Sequence, residues 1–94
     1  MFARVSKYRP GPDNSGKPSD ETVNQVLSLP GCLGIYYLLG KDETSLSITL
    51  WDKEEDVSAS REAADKIRSE TSAEQRMEIL EVKEFEVLTR QLKD

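Results

Sequence analysis

The sequence predicts an α+β domain of order β-α-β-β-α-β, with a four-stranded antiparallel sheet and both helices on one face. Three observations predict it. Alternation of apolar and polar residues recurs in four short runs, and Leu46, Ile48 and Leu50 against Ser47, Thr49 and Trp51 is the clearest of them. Two stretches of helical spacing follow the first and third runs, each opened by capping residues. The second and third runs are joined by Gly40-Lys41-Asp42-Glu43, a hairpin-type turn.

The first strand is expected over residues 2–8, where Ala3 and Val5 point one way and Phe2, Arg4, Ser6 and Tyr8 the other. Residues 10–18 hold three Pro and two Gly and read as a loop, flexible over 9–18. Ser19 or Asp20 can cap a first helix over 20–28, in which Val23, Val26 and Leu27 recur at helical spacing and which Pro30 stops. Leu29-Pro30-Gly31-Cys32-Leu33-Gly34 turns out of it into a short strand over 35–39. After Trp51, Asp52 and Glu55 form a D-x-x-E capping pair for a second helix over 53–69. Val57, Ser60, Ala64 and Ile67 share one face of that helix, and Glu62 and Lys66 pair four apart. Thr71-x-x-Glu74 can cap a further turn, residues 80–88 alternate as the last strand, and 89–94 form a polar tail.

Length and charge bound the function. The 94 residues suffice for one domain, 1–94, burying roughly 60–65% of the unfolded surface, so association over one sheet face would help it. Thirteen basic against eighteen acidic residues give a net charge of −5, which argues against nucleic acid. There is no His, the commonest acid–base residue and metal ligand, so no metal site or cofactor is expected. The single Cys32 forbids an intrachain disulfide, and no apolar run reaches the ~18 residues of a membrane span. With no signal peptide visible, a reducing cytoplasm is the expected location and no membrane partner is expected.

The sheet faces divide as follows on this reading. Leu46, Ile48, Leu50, Ala3 and Val5 are assigned to the helices. Phe2, Arg4, Ser6, Tyr8, Ser47, Thr49 and Trp51 are assigned to the helix-free face, with Glu84 and Glu86 of the last strand within pairing reach of Arg4. A mixed aromatic–polar face of this kind wants a partner, and an isologous homodimer would close two sheets into a barrel with a cavity.

At this point the chain resembles the antibiotic-biosynthesis-monooxygenase-like domains of the dimeric α+β barrel group. The resemblance runs over nearly the whole chain and is carried by Leu29-Pro30-Gly31, Gly34-Ile35-Tyr36, Ile48-Thr49-Leu50-Trp51-Asp52 with Glu54 and Glu55, and residues 82–87. It implies a ferredoxin-like fold, a homodimer, and a pocket between sheet and helices. Some members are cofactor-free oxygenases of electron-rich polycyclic phenols. Others degrade haem through a His ligand, which this sequence lacks.

Several residues carry a functional and a structural reading side by side. Trp51 is either a ring packed at the sheet edge or a pocket wall for a flat ligand. Adjacent strand residues face opposite ways, so of Tyr36 and Tyr37 only one can line a pocket. Tyr37 shares its side with Ile35 and Leu39 and reads as core, leaving Tyr36 as the pocket residue. Arg4 is either half of an ion pair with Glu84 or Glu86, or an anchor for an anion or phenolate. Cys32 reads as a small buried side chain in a glycine turn. The acids from Asp52 to Asp56 are explained by a helix N-terminus. Gly11 to Lys17 spells the front of a phosphate-binding loop, but Pro18 stands where Ser or Thr must hold the metal, so a surface loop or lid is the simpler account. No catalytic residue is assigned. Arg4, Tyr8, Tyr36, Thr49 and Trp51 are the substrate-binding candidates for an aromatic small molecule. Three functions remain open: a cofactor-free monooxygenase, a binding domain without chemistry, and a dimeric interaction module with a filled barrel.

Overall fold

The protein is described by a computed structural model covering residues 1–9, 18–74 and 76–93. In chain order the elements are β1 (Phe2–Arg9), α1 (Asp20–Leu27), β2 (Cys32–Leu39), β3 (Ser45–Trp51), α2 (Glu54–Glu74) and β4 (Glu78–Glu86). The sheet has the order β2-β3-β1-β4, with every neighbouring pair antiparallel. This is the ferredoxin-like plan expected from the alternation. The loop over 10–17, including the Gly11 to Lys17 motif and its reading as a lid, lies outside the described residues.

Local chemistry accounts for the element ends. Ser19 caps α1, its Oγ accepting the Thr22 N–H at 3.2 Å, so the Ser and not Asp20 is the cap. Gly31 sits at φ +80, and the place a Cβ would take is already filled by the Asp56 side chain. The Gly31 carbonyl accepts the Asp52 N–H at 3.0 Å, which ties the Leu-Pro-Gly turn to the start of α2. β2 begins at Cys32, three residues before the expected start, because Cys32 pairs with Trp51 ahead of an irregularity at 32–34. Cys32 is half-buried at that strand end rather than sealed in a turn.

α2 does not stop at 69 and restart at Thr71; it continues through Glu74. Its inward stripe explains the extra length, since Val57, Ser60, Thr71 and Ser72 are all buried and hold the last turn down. The helix closes with the two bonds of a Schellman motif. The Met77 N–H donates to Ser72 O at 2.8 Å and the Arg76 N–H to Ala73 O at 3.3 Å, with Arg76 at φ 56 in the left-handed region. Beyond β4 the Val87 N–H donates to Met1 O at 2.9 Å, and Leu88 and Leu92 of the tail are exposed.

In β1, β3 and β4 the residues fall into the two sets that the alternation predicts, but the sides are exchanged; in β2 the sides are as expected, with Tyr37 toward the helices and Tyr36 away from them. The register aligns Phe2, Arg4, Ser6 and Tyr8 with Trp51, Thr49, Ser47 and Ser45 across β1–β3. The Arg4 guanidinium donates to the Val57 carbonyl of α2 at 2.8 Å, and Arg68 of α2 donates to Ser6 Oγ at 3.0 Å. The mixed set therefore faces the helices. Ala3, Val5, Leu46, Ile48 and Leu50 point to the helix-free side, together with Tyr36, Leu38 and Phe85, which stand opposite Ile48, Leu46 and Ala3. Glu84 also lies on the helix side, paired with Arg4 as expected but on the other face. The physical reason lies in volume. Trp51 and Tyr8 are the bulky groups that span the gap from sheet to α2, and Ser6, Ser45 and Ser47 leave them room.

Candidate functional site

The layer between sheet and helices is unlike an ordinary small-domain core. Trp51, Tyr8, Val57 and Met77 are buried in the chain, but so are Arg4, Ser6, Ser45, Ser47, Ser60, Thr71 and Ser72. Buried polar groups are the informative observation in a fold, because each must be bonded or must serve something. Four of them, Arg4, Ser6, Ser47 and Thr71, line a cleft. Its full hollow, mouth included, is ≈ 520 Å³, and the space in which the centre of a water can sit is ≈ 50 Å³. That inner space holds several waters or part of one ring.

β1 and β3 supply the floor. Arg4 is the best-held group. Its side chain is 3% exposed, it donates to Val57 O, and its Nε and Nη2 donate to Glu84 Oε2 at 3.3 and 3.1 Å. Its guanidinium lies over the Trp51 ring, 5.2 Å from the centroid, a cation–π contact in a dry setting. Arg4 Nη1 is buried with no hydrogen-bond partner among the described residues, as is Ser45 Oγ. Trp51 is fully buried and donates its indole N–H to Thr49 Oγ1 at 2.9 Å. The Tyr8 hydroxyl is bonded to Ser47 Oγ at 3.2 Å.

β2 supplies one wall. The Tyr37 ring stacks on Tyr8 at 6.1 Å and 17°, and its hydroxyl donates to Met77 Sδ at 3.3 Å. Burial pushes the Tyr37 phenol above its ordinary value, so it remains a donor. The helices close the cleft with Val26, Ala64 and Ile67, and with Thr22 and Thr71, whose hydroxyls meet at 3.5 Å. Pro18 lines the same cleft. Glu84 sits at its outer side. Burial would raise its carboxyl, but Arg61 at 2.7 Å and Arg4 together outweigh that and hold it below the usual carboxylate range.

Four of the five binding candidates, Arg4, Tyr8, Thr49 and Trp51, come together in this cleft. Tyr36 does not; it stands opposite Ile48 on the helix-free face, 52% exposed. The correction follows from register, since Tyr37, not Tyr36, aligns with Ser47. Arg68 was legible only as a helix residue. Its spacing of four from Ala64 and three from Thr71 sets it on the buried stripe, and that spacing is the signal that marks it. No cluster of three or more His, Cys, Asp or Glu that could hold a metal occurs among the described residues. No described helix is long and apolar enough to cross a membrane.

No protein-family model matches the sequence, and no curated protein matches it. Among solved structures, the chain is similar to a "putative Antibiotic biosynthesis monooxygenase" from Chloroflexus aurantiacus J-10-fl, with TM-score 0.60 and 18% identity over 96% of this chain and 95% of that one. The chain thus has an antibiotic-biosynthesis-monooxygenase-like fold from end to end, as the sequence resemblance implied. At this identity the likeness speaks for the fold alone.

Proposed function

We propose that the cleft between sheet and helices binds a flat aromatic small molecule with an ionisable hydroxyl, and that the chain acts on it as a cofactor-independent monooxygenase. The observation that carries the reading is the buried Arg4, stacked on Trp51 with its Nη1 lacking a partner. A guanidinium so placed stabilises a phenolate or enolate oxygen, and an electron-rich anion of that kind is the species that can itself activate oxygen. Trp51 and Tyr37 would hold the ring, while the Tyr8–Ser47 pair offers hydroxyls that donate or accept. The likeness in fold to the Chloroflexus protein makes oxygenase chemistry the first activity to test. The modest inner space favours one ring over a polycyclic ligand unless the mouth widens. A second reading, binding without turnover, is favoured by the lack of an acid–base dyad among the described residues that line the cleft.

The same reading makes the active species a cytoplasmic homodimer. Its support is the helix-free face, where Tyr36, Leu38 and Phe85 stay exposed beside Ile48 and Leu50. An apolar surface of this kind is what an isologous pair would cover, and closing two sheets makes the expected barrel. Cys32, the single cysteine, is free, which suits a reducing compartment.

The test is oxygen uptake with a panel of single-ring phenols, naphthols and anthrones, run beside titrations of Trp51 fluorescence. Uptake that Arg4→Met abolishes supports the enzyme. Quenching without uptake moves the protein to the binding reading, and a silent Trp51 across the panel overturns both.

A further inference from the structure

The cleft has a charge that the chain as a whole does not lead one to expect. Acidic residues outnumber basic ones in a protein of net charge −5. Yet the described residues lining the cleft include two arginines, Arg4 and Arg68, and no Asp or Glu. Their carboxylate partners stand outside it. Arg68 Nη1 donates to Asp65 at 2.6 Å, and Asp65 is 58% exposed while the Arg68 side chain is only 9% exposed. Glu84, which does not line the cleft, is shared by Arg4 and by Arg61 on the outside of α2.

Arg68 is also held in a fixed pose. Its Nε donates to Ser6 Oγ at 3.0 Å, which anchors the guanidinium over β1. Nη2 makes no hydrogen bond among the described residues. Ser6 lies two residues from Arg4 on the same side of β1, so the two anchor points are about 6.5 Å apart along the strand. Hydroxyls of Thr22 and Thr71 line the cleft with Arg68, whereas Trp51 and Thr49 belong to the Arg4 end. One end therefore offers a cation with an aromatic face, and the other offers a cation among hydroxyls.

We propose that Arg68 is a carboxylate-binding residue, and that the cleft selects hydroxyaryl carboxylates, with the acid group at Arg68 and Ser6 and the hydroxyl toward Arg4. This rests on the reading of the cleft as an aromatic-ligand site and names the ligand class within it. A guanidinium with Nη2 left over, largely buried beside Ser6, can give a charge-assisted bond to a carboxylate oxygen, and the restricted access of water strengthens it.

The experiment titrates the full-length protein with 4-hydroxybenzoate, its neutral isostere 4-hydroxybenzamide, and phenol, following Trp51 fluorescence at low salt. 4-Hydroxybenzoate is expected to bind tighter than the amide by roughly tenfold or more, the scale of one charge-assisted bond. Arg68→Gln is expected to erase that preference while amide affinity is kept. Asp65→Asn, which leaves the cation in place and lies on the exposed side, is expected to keep or enlarge the preference and guards against a folding defect in the first variant. Equal affinity for acid and amide, or a preference that survives Arg68→Gln, overturns this assignment and leaves the aromatic-site reading standing. If none of the three ligands binds, both readings fall together.

Discussion

The two faces of the one sheet carry opposite chemistry, and not in the usual arrangement. The inner face, packed under the helices, presents Arg4, Ser6, Tyr8, Ser47, Thr49 and Trp51. The outer face, with no element over it, presents Val5, Tyr36, Leu38, Ile48, Leu50 and Phe85, and the charged Lys7, Glu81 and Lys83 toward its β4 side. A free-standing domain would put the aliphatic set inside and the polar set in water. The exchange fits the proposed function, in which a ligand meets the inner face and a second copy covers the outer one. A polar interior tolerates burial when its groups are bonded and the remaining space takes a ligand. An apolar exterior tolerates synthesis in water when another protein surface covers it.

The largest effect expected from breaking this contrast is on association. Ile48→Glu puts a charge in the middle of the outer face and, in an isologous pair, does so twice. It should weaken the dimer by about 4 kcal/mol or more, seen as a halved mass in light scattering with an unchanged far-ultraviolet spectrum. Its counterpart on the inner face is Ser47→Leu, which fills the cleft beside Tyr8. That change should abolish quenching of Trp51 by aromatic ligands and leave the mass alone. If the two substitutions act the other way round, the roles given to the faces are wrong.

Next in size is the cost of emptying the inner face of its cation. Arg4→Met removes the bonds to Val57 O and Glu84 and the stacking on Trp51, and should lower stability by about 3 kcal/mol in urea unfolding. A loss below 1 kcal/mol would mean that Arg4 is held at little net gain, which would make ligand binding its main purpose. Gly31→Ala serves as a control away from both faces. Its φ of +80 and the Asp56 side chain in the Cβ position predict a loss of about 2 kcal/mol with no change in mass or ligand preference.

The smallest effect is on pH dependence. The Glu84 carboxyl lies below its ordinary value of 4.5, so the stability it adds is fully present above that value and is lost as pH falls through its lower, folded value. The gap in Tm between wild type and Glu84→Gln should therefore be widest at neutral pH and close in acid. A gap that grows on acidification would show that the two guanidiniums do not hold Glu84 ionised.

The element order and the turn at Gly31 were legible in the linear chain, because each depends on neighbours in sequence or on a period of two; the cap was narrowed to Ser19 or Asp20 and the partner of Arg4 to Glu84 or Glu86, and the structure chose Ser19 and Glu84. Alternation also sorted the residues of β1, β3 and β4 into two sets, but it grouped Tyr36 of β2 with Ser47, Thr49 and Trp51, whereas the register sets Tyr36 opposite Ile48. It could not say which set faces inward, since a period of two is symmetric between the faces. Composition broke the tie the wrong way: Leu46, Ile48 and Leu50 look like a core, and only the helix contacts of Arg4 and Ser6 show that they are not. Register across β2–β3 decided between Tyr36 and Tyr37 for the same reason, being a relation between strands and not a property of either. Arg68 joined the cleft through packing of a helix onto a strand 62 residues away in sequence. What the sequence by itself determined is thus the elements and their sidedness as sets. The tertiary structure decided which side is in, and with it where a ligand and a partner can sit, because inward and outward are defined only once the helices have chosen a face.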